Sequence, residues 1–170
     1  MSDQSVLLPS KPRIVKDDGF VPVYEIDGLY PGYGHTLGNS LRRIILSSLP
    51  GAAITSVKIN GVSHEFSTIE GVKEDVISIL LNLKKLRIQI LSEESQTLRL
   101  KSKGIKNLTA GDIEAPGQVI IVNKDQHIAS VSDKGTTLDI EMTVQKGLGY
   151  VPKEIIQKDR VDIGAIALDA

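Results

Sequence analysis

The chain has 170 residues, of which 41% are hydrophobic and 24% are charged, so it is long enough to bury a core as one domain or as a small domain with part of another. Twenty Lys and Arg residues against twenty-one Asp and Glu residues leave a formal net charge of -1, which argues against binding nucleic acid through a strong basic field. The absence of cysteine excludes a disulfide framework, a thiolate metal site and a cysteine nucleophile.

The beginning of the chain carries neither a targeting nor a membrane signal. Met1–Gln4 lack a basic start followed by an apolar run. No apolar stretch approaches the roughly 20 residues that a membrane-spanning helix needs. We therefore expect a cytoplasmic protein without membrane contact. Residues 1–19 are polar and end in a turn, after which the alternation of Pro22–Ile26 predicts a strand.

The segment His35–Leu49 is predicted to be a helix with apolar residues on two sides. Four of them share one face at helical spacing: Leu37, Leu41, Ile44 and Ile45. Leu46 projects about 180° from Leu37, between Arg42 and Arg43. A surface helix of a monomer rarely needs an apolar residue on its second side, so we expect this helix to pack against a layer or a partner on both sides. The Pro-Gly pair that follows Leu49 ends it.

The next stretch predicts a β-hairpin. Ile54–Asn60 is typical of a strand, and the turn at Asn60 and Gly61 predicts a return strand through Val62–Thr68.

A second helix is expected at about Val72–Lys85, and we expect it to be largely buried. One apolar stripe consists of Val72, Val76, Ile79, Leu80 and Leu83, and Ile77 and Leu81 widen it. Glu70, Glu74 and Asp75 are placed at its first turn, where their charges complement the helix dipole.

From Leu86 onward the hydrophobic period changes to two, which predicts strands at Leu86–Ile90, Leu98–Leu100 and Leu138–Val144. The continuous apolar run Val119–Val122 is typical of a strand buried on both faces. Residues 146–152 are predicted to form a loop, followed by a polar stretch and a short apolar close at 163–168. The layout is a strand and a helix, then a hairpin and a helix, then a run of antiparallel strands, which is an α+β arrangement.

No pattern of catalytic or metal-binding residues emerges. The three histidines, His35, His64 and His127, lie in different predicted elements, with no second ligand at metal-binding spacing. No acidic pair stands near a base and a nucleophile, so we assign no catalytic residue, metal or cofactor.

The glycine-rich segment Gly32–Gly38 opens the first helix, which is where phosphate loops occur. Gly38 falls one position too late for the dinucleotide fingerprint, and no Gly-Lys-Ser/Thr follows. The favoured interpretation is a tight loop whose glycines let the chain turn and pack closely. An anion site formed by backbone amides at the helix start, as in a small-molecule-binding domain, stays open as the alternative.

Arg42 and Arg43 diverge by about 100° on the helix, so they cannot serve one purpose. Either both are solvated helix charges, or one reaches a partner carboxylate, for which Arg is well suited.

Five segments in series resemble the alpha subunit of bacterial RNA polymerase. The longest is the run from Gly32 to Ser48, GYGHTLGNSLRRIILSS. The others are Gly51–Thr68, Glu70–Asp75, Leu81–Lys84 and Gly147–Pro152, and together the resemblance covers about residue 10 to the end. An archaeal-type or organellar counterpart would share the fold logic, but the fit is closest to the bacterial form.

The resemblance implies a non-catalytic scaffold in transcription. Residues 1–50 would be the first portion of a dimerisation domain, and residues 51–170 a mainly antiparallel insert domain. In this family alpha dimerises and then recruits the beta and beta-prime subunits, which hold the catalytic magnesium and the nucleotide site. No direct nucleic-acid binding is expected from this segment.

The resemblance also assigns roles to residues. Contacts to the beta subunit and other assembly contacts are expected at His35, Thr36, Asn39, Arg42, Arg43, Lys84, Gly147 and Gly149, with Arg43 the most important. The dimer interface is expected at Tyr33, Leu37, Leu41, Leu46 and Leu49. Family members continue past the position of Ala170 with a return strand and helix, so we expect the first domain of this chain to depend on a partner and its homodimer to be weakened.

Overall fold

The structure is a computed structural model that describes residues 8–19, 21–158 and 164–170. The chain divides into two compact units, residues 1–45 and 46–170. The described elements are α+β with mostly antiparallel strands, as the sequence predicts. Within the described ranges, no helix has the length and apolarity needed to cross a bilayer.

The first unit consists of a two-stranded ribbon and most of one helix. Strands β1 (Arg13–Lys16) and β2 (Val23–Glu25) pair antiparallel, and the Arg13 guanidinium donates to the Glu25 carboxylate across the ribbon at 2.9 Å. β2 confirms the predicted strand, whereas β1 lies in the stretch that the sequence marks only as polar. Helix α1 (Tyr33–Ser48) starts two residues earlier than predicted, directly after Gly32 turns the chain with φ +90°.

The second unit contains the rest of the elements. In chain order they are β3 (Pro50–Ile59), α2 (Val76–Lys84), β4 (Ile88–Ile90), β5 (Gln96–Lys103), β6 (Lys106–Thr109), a 3₁₀ turn (Ala110–Asp112), β7 (Val119–Ile121), β8 (His127–Val131), β9 (Thr137–Leu148), α3 (Lys153–Lys158) and β10 (Ile166–Ala167). A four-stranded sheet has the order β10-β3-β9-β5, and two ribbons pair β4 with β7 and β6 with β8.

The core lies on one face of the four-stranded sheet. Alternate residues of β9 point into it, and Leu138, Ile140, Met142 and Val144 are all at most 1% exposed. Helix α2 buries Val76, Ile79, Leu80 and Leu83 in the same core cluster. Each fully buried Leu or Ile contributes about 1.5–3 kcal/mol, so this aliphatic cluster supplies the main stabilising free energy of the unit.

Strand β3 contains a bulge that changes which residues face the core. Its register with β9 shifts between Ile54 and Ser56. Ile54 is buried on one side of the bulge, and Val57 and Ile59 are buried on the other, so the parity of the inward positions switches there. The bulged Thr55 accepts a hydrogen bond from the Leu168 backbone N–H at 2.9 Å, which ties the segment after β10 to β3.

The predicted β-hairpin after β3 is wrong. Asn60 and Gly61 do turn the chain, with Gly61 at φ +81°. Residues 62–68, all of them described, contain no strand, and β3 pairs with β9 and β10 instead. The physical reason is that β9 offers a long uninterrupted apolar alternation to match β3, whereas residues 62–68 are mostly polar.

The second helix is shorter and less buried than predicted. It begins at Val76 because Asp75 caps it, with its carboxylate accepting from the Ser78 N–H at 2.8 Å. Val72 lies outside the helix and forms a β-bridge to Val131. Glu70, Glu74 and Asp75 therefore precede the first turn. Ile77 and Leu81 are 36% and 54% exposed, so they widen the apolar stripe beyond the core.

Three further predictions need correction. β7 is not buried on both faces, since Ile120 is 45% exposed where the β4–β7 ribbon has only two strands. Residues 146–148 belong to β9 and only residues 149–152 form the loop, while the polar stretch after it contains α3. β10 lies within the predicted apolar close, whose first residue, Ile163, lies outside the described residues.

Glu74 is a half-buried link between the start of α2 and β8. Its carboxylate accepts from the Ser130 N–H at 2.6 Å and from the Ser130 hydroxyl at 3.1 Å, and it lies 2.9 Å from His127 Nε2. Burial raises the pKa of Glu74, but these hydrogen bonds outweigh it and hold the pKa below its usual value of 4.5.

Glu74→Ala should lower the free energy of unfolding by about 2 kcal/mol, because it leaves the buried Ser130 N–H without its acceptor. Urea unfolding at neutral pH measures this. The native pKa is depressed, so the contribution of the carboxylate is present above pH 4.5 and is lost as pH falls through the lowered value; the difference between wild type and variant should shrink there. The exposed Glu94→Ala should change stability by less than about 0.5 kcal/mol, and equal effects of the two substitutions would contradict the assignment.

Candidate assembly surfaces

Helix α1 presents an uncovered apolar stripe. All sixteen of its residues are described, and none of them is buried. In the first unit the stripe consists of Leu37, Leu41, Ile44 and Ile45, and Leu41, Ile44 and Ile45 are 48–55% exposed. Helix α2 has only nine residues and buries four of them. A contiguous exposed stripe of this kind is typical of a protein–protein contact.

The polar residues predicted as assembly contacts lie on the other side of α1. With about 100° per residue, His35, Asn39 and Arg42 fall within about 60° of one another, and Thr36 and Arg43 border them. The stripe is centred about 180° away, and Tyr33 lies on the same side of the helix as the stripe. All five polar residues are exposed. Leu37 and Leu41 thus lie opposite the polar contact residues, whereas Leu46, also predicted for the dimer interface, falls on the polar face between Arg42 and Arg43.

The last turn of α1 is counted with the second unit, where the loop after β9 closes it. The Gly149 N–H donates to the Leu49 carbonyl and the Tyr150 N–H to the Leu46 carbonyl, both at 2.8 Å. These donors satisfy carbonyls that a helix end leaves without intrahelical partners. Leu46 and Leu49, both predicted for the dimer interface, remain about half exposed.

Gly149 is required for this approach. Its φ is +63°, and a Cβ there would lie 2.6 Å from Ser47 Cα and against the Leu46 carbonyl oxygen. Gly147 is different: it pairs with Gly51 in the β3–β9 ladder, and a Cβ would meet nothing within 4 Å. Of the two predicted assembly glycines, Gly149 thus has an intramolecular role that the sequence does not reveal.

Lys84, the third predicted contact in the second unit, lies at the end of α2. Its ammonium is 3.4 Å from the Asp169 carboxylate. Beside it runs a groove of about 260 Å³ lined by Phe66, Ile77 and Leu81 among others. Phe66 is 77% exposed. Sequence reasoning assigned Leu81 to the core and Phe66 to a return strand, so it missed this apolar surface; the only available signal was that Leu81 widens the helix stripe.

Asp169 joins two helices through one carboxylate. It accepts from the Lys153 N–H at 2.9 Å and from the Lys84 ammonium at 3.4 Å. The hydrogen bond from Lys153, more than the nearby charge of Lys84, holds the pKa of Asp169 below its usual range. Burial raises the pKa of the Tyr150 phenol, and the negative charge of Asp169 raises it further.

The histidines and the glycine loop do not form a ligand site. His64 lies 3.1 Å from the Ser67 hydroxyl, His127 contacts Glu74, and no three His, Asp or Glu residues of the described chain are grouped to hold a metal ion. Cβ atoms added to Gly32, Gly34 and Gly38 would meet nothing within 4 Å, so the close packing expected of this loop is absent at these three glycines. The turn expected of the loop is present at Gly32. Nothing in these contacts supports the alternative of an anion pocket.

The antiparallel fold of the second unit matches a known family. Residues 57–170 match the family described as the RNA polymerase Rpb3/RpoA insert domain, and the chain belongs to this family. The match includes the last three residues of β3, the strands that follow it, α2 and both Lys84 and Asp169.

Curated relatives confirm the resemblance to the bacterial alpha subunit. The chain is 50% identical over 147 residues to the DNA-directed RNA polymerase subunit alpha of Roseiflexus sp. (strain RS-1), covering 86% of this chain and 45% of the relative. It is 51% identical over 164 residues to the subunit alpha of Symbiobacterium thermophilum, covering 94% and 52%. That of Alkaliphilus oremlandii is 52% identical over 147 residues, covering 86% and 46%. The chain spans about half the length of these relatives.

Gly149→Ala should destabilise the chain by at least about 2 kcal/mol, because the new methyl group meets backbone atoms of the α1 terminus in a left-handed conformation. Thermal or urea unfolding measures this. Gly147→Ala, two residues away in open space, is the matched control and should stay within about 0.5 kcal/mol of wild type. Indistinguishable midpoints for the two variants would show that the loop does not close on α1.

Proposed function

We propose that this chain is a non-catalytic alpha-subunit segment of a cytoplasmic DNA-directed RNA polymerase, and that it is a scaffold on which the beta and beta-prime subunits assemble for transcription. The observation that carries the proposal is α1: a sixteen-residue amphipathic helix without a buried residue. Identity near 50% to subunits named alpha supports the polymerase context. We assign no catalytic residue, cofactor or nucleic-acid contact to this segment.

The apolar stripe of α1 is proposed as the contact with a second alpha subunit. The proposed interface takes Tyr33, Leu37 and Leu41 from the side of the stripe. It also includes Leu46, which projects from the other side of the last turn, and Leu49 beyond the helix. Four of these side chains, Tyr33, Leu41, Leu46 and Leu49, are about half exposed, and complete burial of their exposed halves contributes about 3–6 kcal/mol. That free energy offsets only part of the translational freedom that is lost on association, so we expect a weak dimer for this segment.

The opposite face of α1 is proposed to contact the beta subunit through His35, Thr36, Asn39, Arg42 and Arg43. Arg side chains are enriched in protein interfaces because their planar guanidinium binds carboxylates through two hydrogen bonds. In the second unit we propose further contacts to the large subunits at Lys84 and along residues 147–152, including Gly147 and Gly149. Phe66 and Leu81 extend this surface with exposed apolar area beside Lys84.

We also propose that residues 1–50 are the first portion of a dimerisation domain and residues 51–170 an insert domain. The compact unit at residues 46–170 and the family match at residues 57–170 both lie close to the second segment.

Arg43→Ala should weaken the complex of this chain with the beta subunit about tenfold or more, because it removes a charged interface side chain. The measurement is co-purification of the untagged chain with the beta and beta-prime subunits of its own cell extract, followed by titration with purified beta. Arg99→Ala is the control, since Arg99 pairs with Glu141 on the exposed face of the sheet. Wild-type assembly of the Arg43 variant would remove that residue from the interface; failure of the wild-type chain to bind either large subunit would overturn the proposed function.

Leu41→Glu should abolish self-association, because it places a charge in the centre of the stripe. Sedimentation equilibrium over a wide concentration range measures this, with Ile105→Glu, an exposed position in the second unit, as the control. A wild-type chain that stays monomeric at millimolar concentration contradicts the dimer proposal for this segment and leaves the beta contact standing.

A further inference from the structure

We infer that Asp169 is the positioning residue of the second-unit assembly surface, where its carboxylate holds Lys84 and the start of α3 in the arrangement that a large subunit recognises. This inference rests on the proposed function. It assigns a role to a residue that no sequence motif singled out.

The carboxylate connects parts of the chain that are far apart in sequence. Its Oδ1 accepts from the backbone N–H of Lys153, the first residue of α3, at 2.9 Å. Its Oδ2 is 3.4 Å from the ammonium of Lys84, which is 85 positions away. The charge of the same group raises the pKa of the Tyr150 phenol in the loop after β9. One side chain thus links the end of α2 with the start of α3, and its charge reaches the loop.

Asp169 itself is firmly placed. Val151 donates to the Ala170 carbonyl at 2.7 Å and Ala170 donates back to Val151 at 3.0 Å. On the other side, Leu168 is buried and its N–H donates to Thr55 in β3. Because both neighbours are tied to the sheet or to the loop, the carboxylate is a fixed acceptor to which more mobile side chains orient.

Lys84 is the side chain that gains from this. A lysine side chain has many rotamers, and ordering it on binding lowers affinity. The ion pair with Asp169 restricts those rotamers before binding and keeps the ammonium beside Phe66 and Leu81. The side chains of the pair are 37% and 34% exposed, so a partner can still reach them. The role of Asp169 is therefore preorganisation, and the stability that the pair adds is small.

The test combines a binding cycle with a readout inside the chain. Binding of the purified beta subunit, and of beta-prime in parallel, is measured for the wild-type 170-residue chain, Asp169→Asn, Lys84→Met and the double variant. Each single substitution should weaken binding of the large subunit that contacts this surface about tenfold, and the double variant should be no weaker than the single ones, because both remove the same contact. In parallel, NMR of ¹³C-labelled tyrosine should show the pKa of the Tyr150 phenol falling toward 10.0 in Asp169→Asn.

Asp139→Asn is the matched control. Asp139 lies 3.4 Å from the ammonium of Lys101 with similar exposure, on the solvated face of the sheet. It should leave both binding and the Tyr150 titration at wild-type values. Should Asp169→Asn fail to fold, binding of the large subunits by Asp169→Glu and Lys84→Met still tests the positioning role. Asp169→Glu keeps the negative charge, and Lys84→Met leaves the Asp169 carboxylate in place.

The outcomes separate this inference from the proposed function. Binding by wild type that is weakened by Lys84→Met but not by Asp169→Asn overturns the positioning role alone, as do additive effects of the two substitutions. An unchanged Tyr150 pKa in Asp169→Asn overturns the geometry on which it stands. Absence of binding by the wild-type chain overturns the proposed function, and the positioning role falls with it.

Discussion

The second unit depends on the pairing of β3 with β9. These two strands come from opposite ends of the unit, and their ladder runs from Pro50 with Leu148 to Ile59 with Ile140. The inward side chains of both strands make up the middle of the core on which α2 packs. The same ladder carries Leu49 and Gly149 to neighbouring positions, so the closure of the α1 terminus follows from strand register. Loss of this pairing would remove both the core and the hydrogen bonds from Gly149 and Tyr150 that close the α1 terminus.

The two longer helices show opposite uses of an apolar stripe. Helix α2 places most of its stripe in the core and has a side-chain cap at its start, so its conformation is stable within the chain. Helix α1 has no acidic residue in its first turn, no basic residue in its last turn and no buried side chain. An isolated helix gains no stability from exposed apolar side chains, because helices in proteins are stabilised mainly by packing of an apolar face. The proposed association with other chains would cover the apolar face of α1.

Elements with strong periodicity could be predicted from the sequence, and elements defined by long-range pairing could not. The alternation of β9 and the stripe of α1 were sufficient to locate both. The Asn60-Gly61 turn was also found, but the local pattern could not reveal that β9, about 80 residues later, outcompetes residues 62–68 for β3. The same limit applies to the assembly surfaces. The residues on α1 are recognisable because they are contiguous, whereas the Lys84–Asp169 pair joins distant segments and Asp169 has no local signal.

The bulge at Thr55 has a consequence for how this segment can evolve. Because the bulge places one extra residue in β3, removing Thr55 would restore an unbroken alternation and leave residues 50–54 on their present faces. The carbonyl that receives the Leu168 N–H would be lost. The extra residue therefore supplies a hydrogen-bond acceptor and does not make the sheet more regular. A β3 shortened by this residue should pair with β9 as before, while the segment after β10 should lose a hydrogen bond to the sheet.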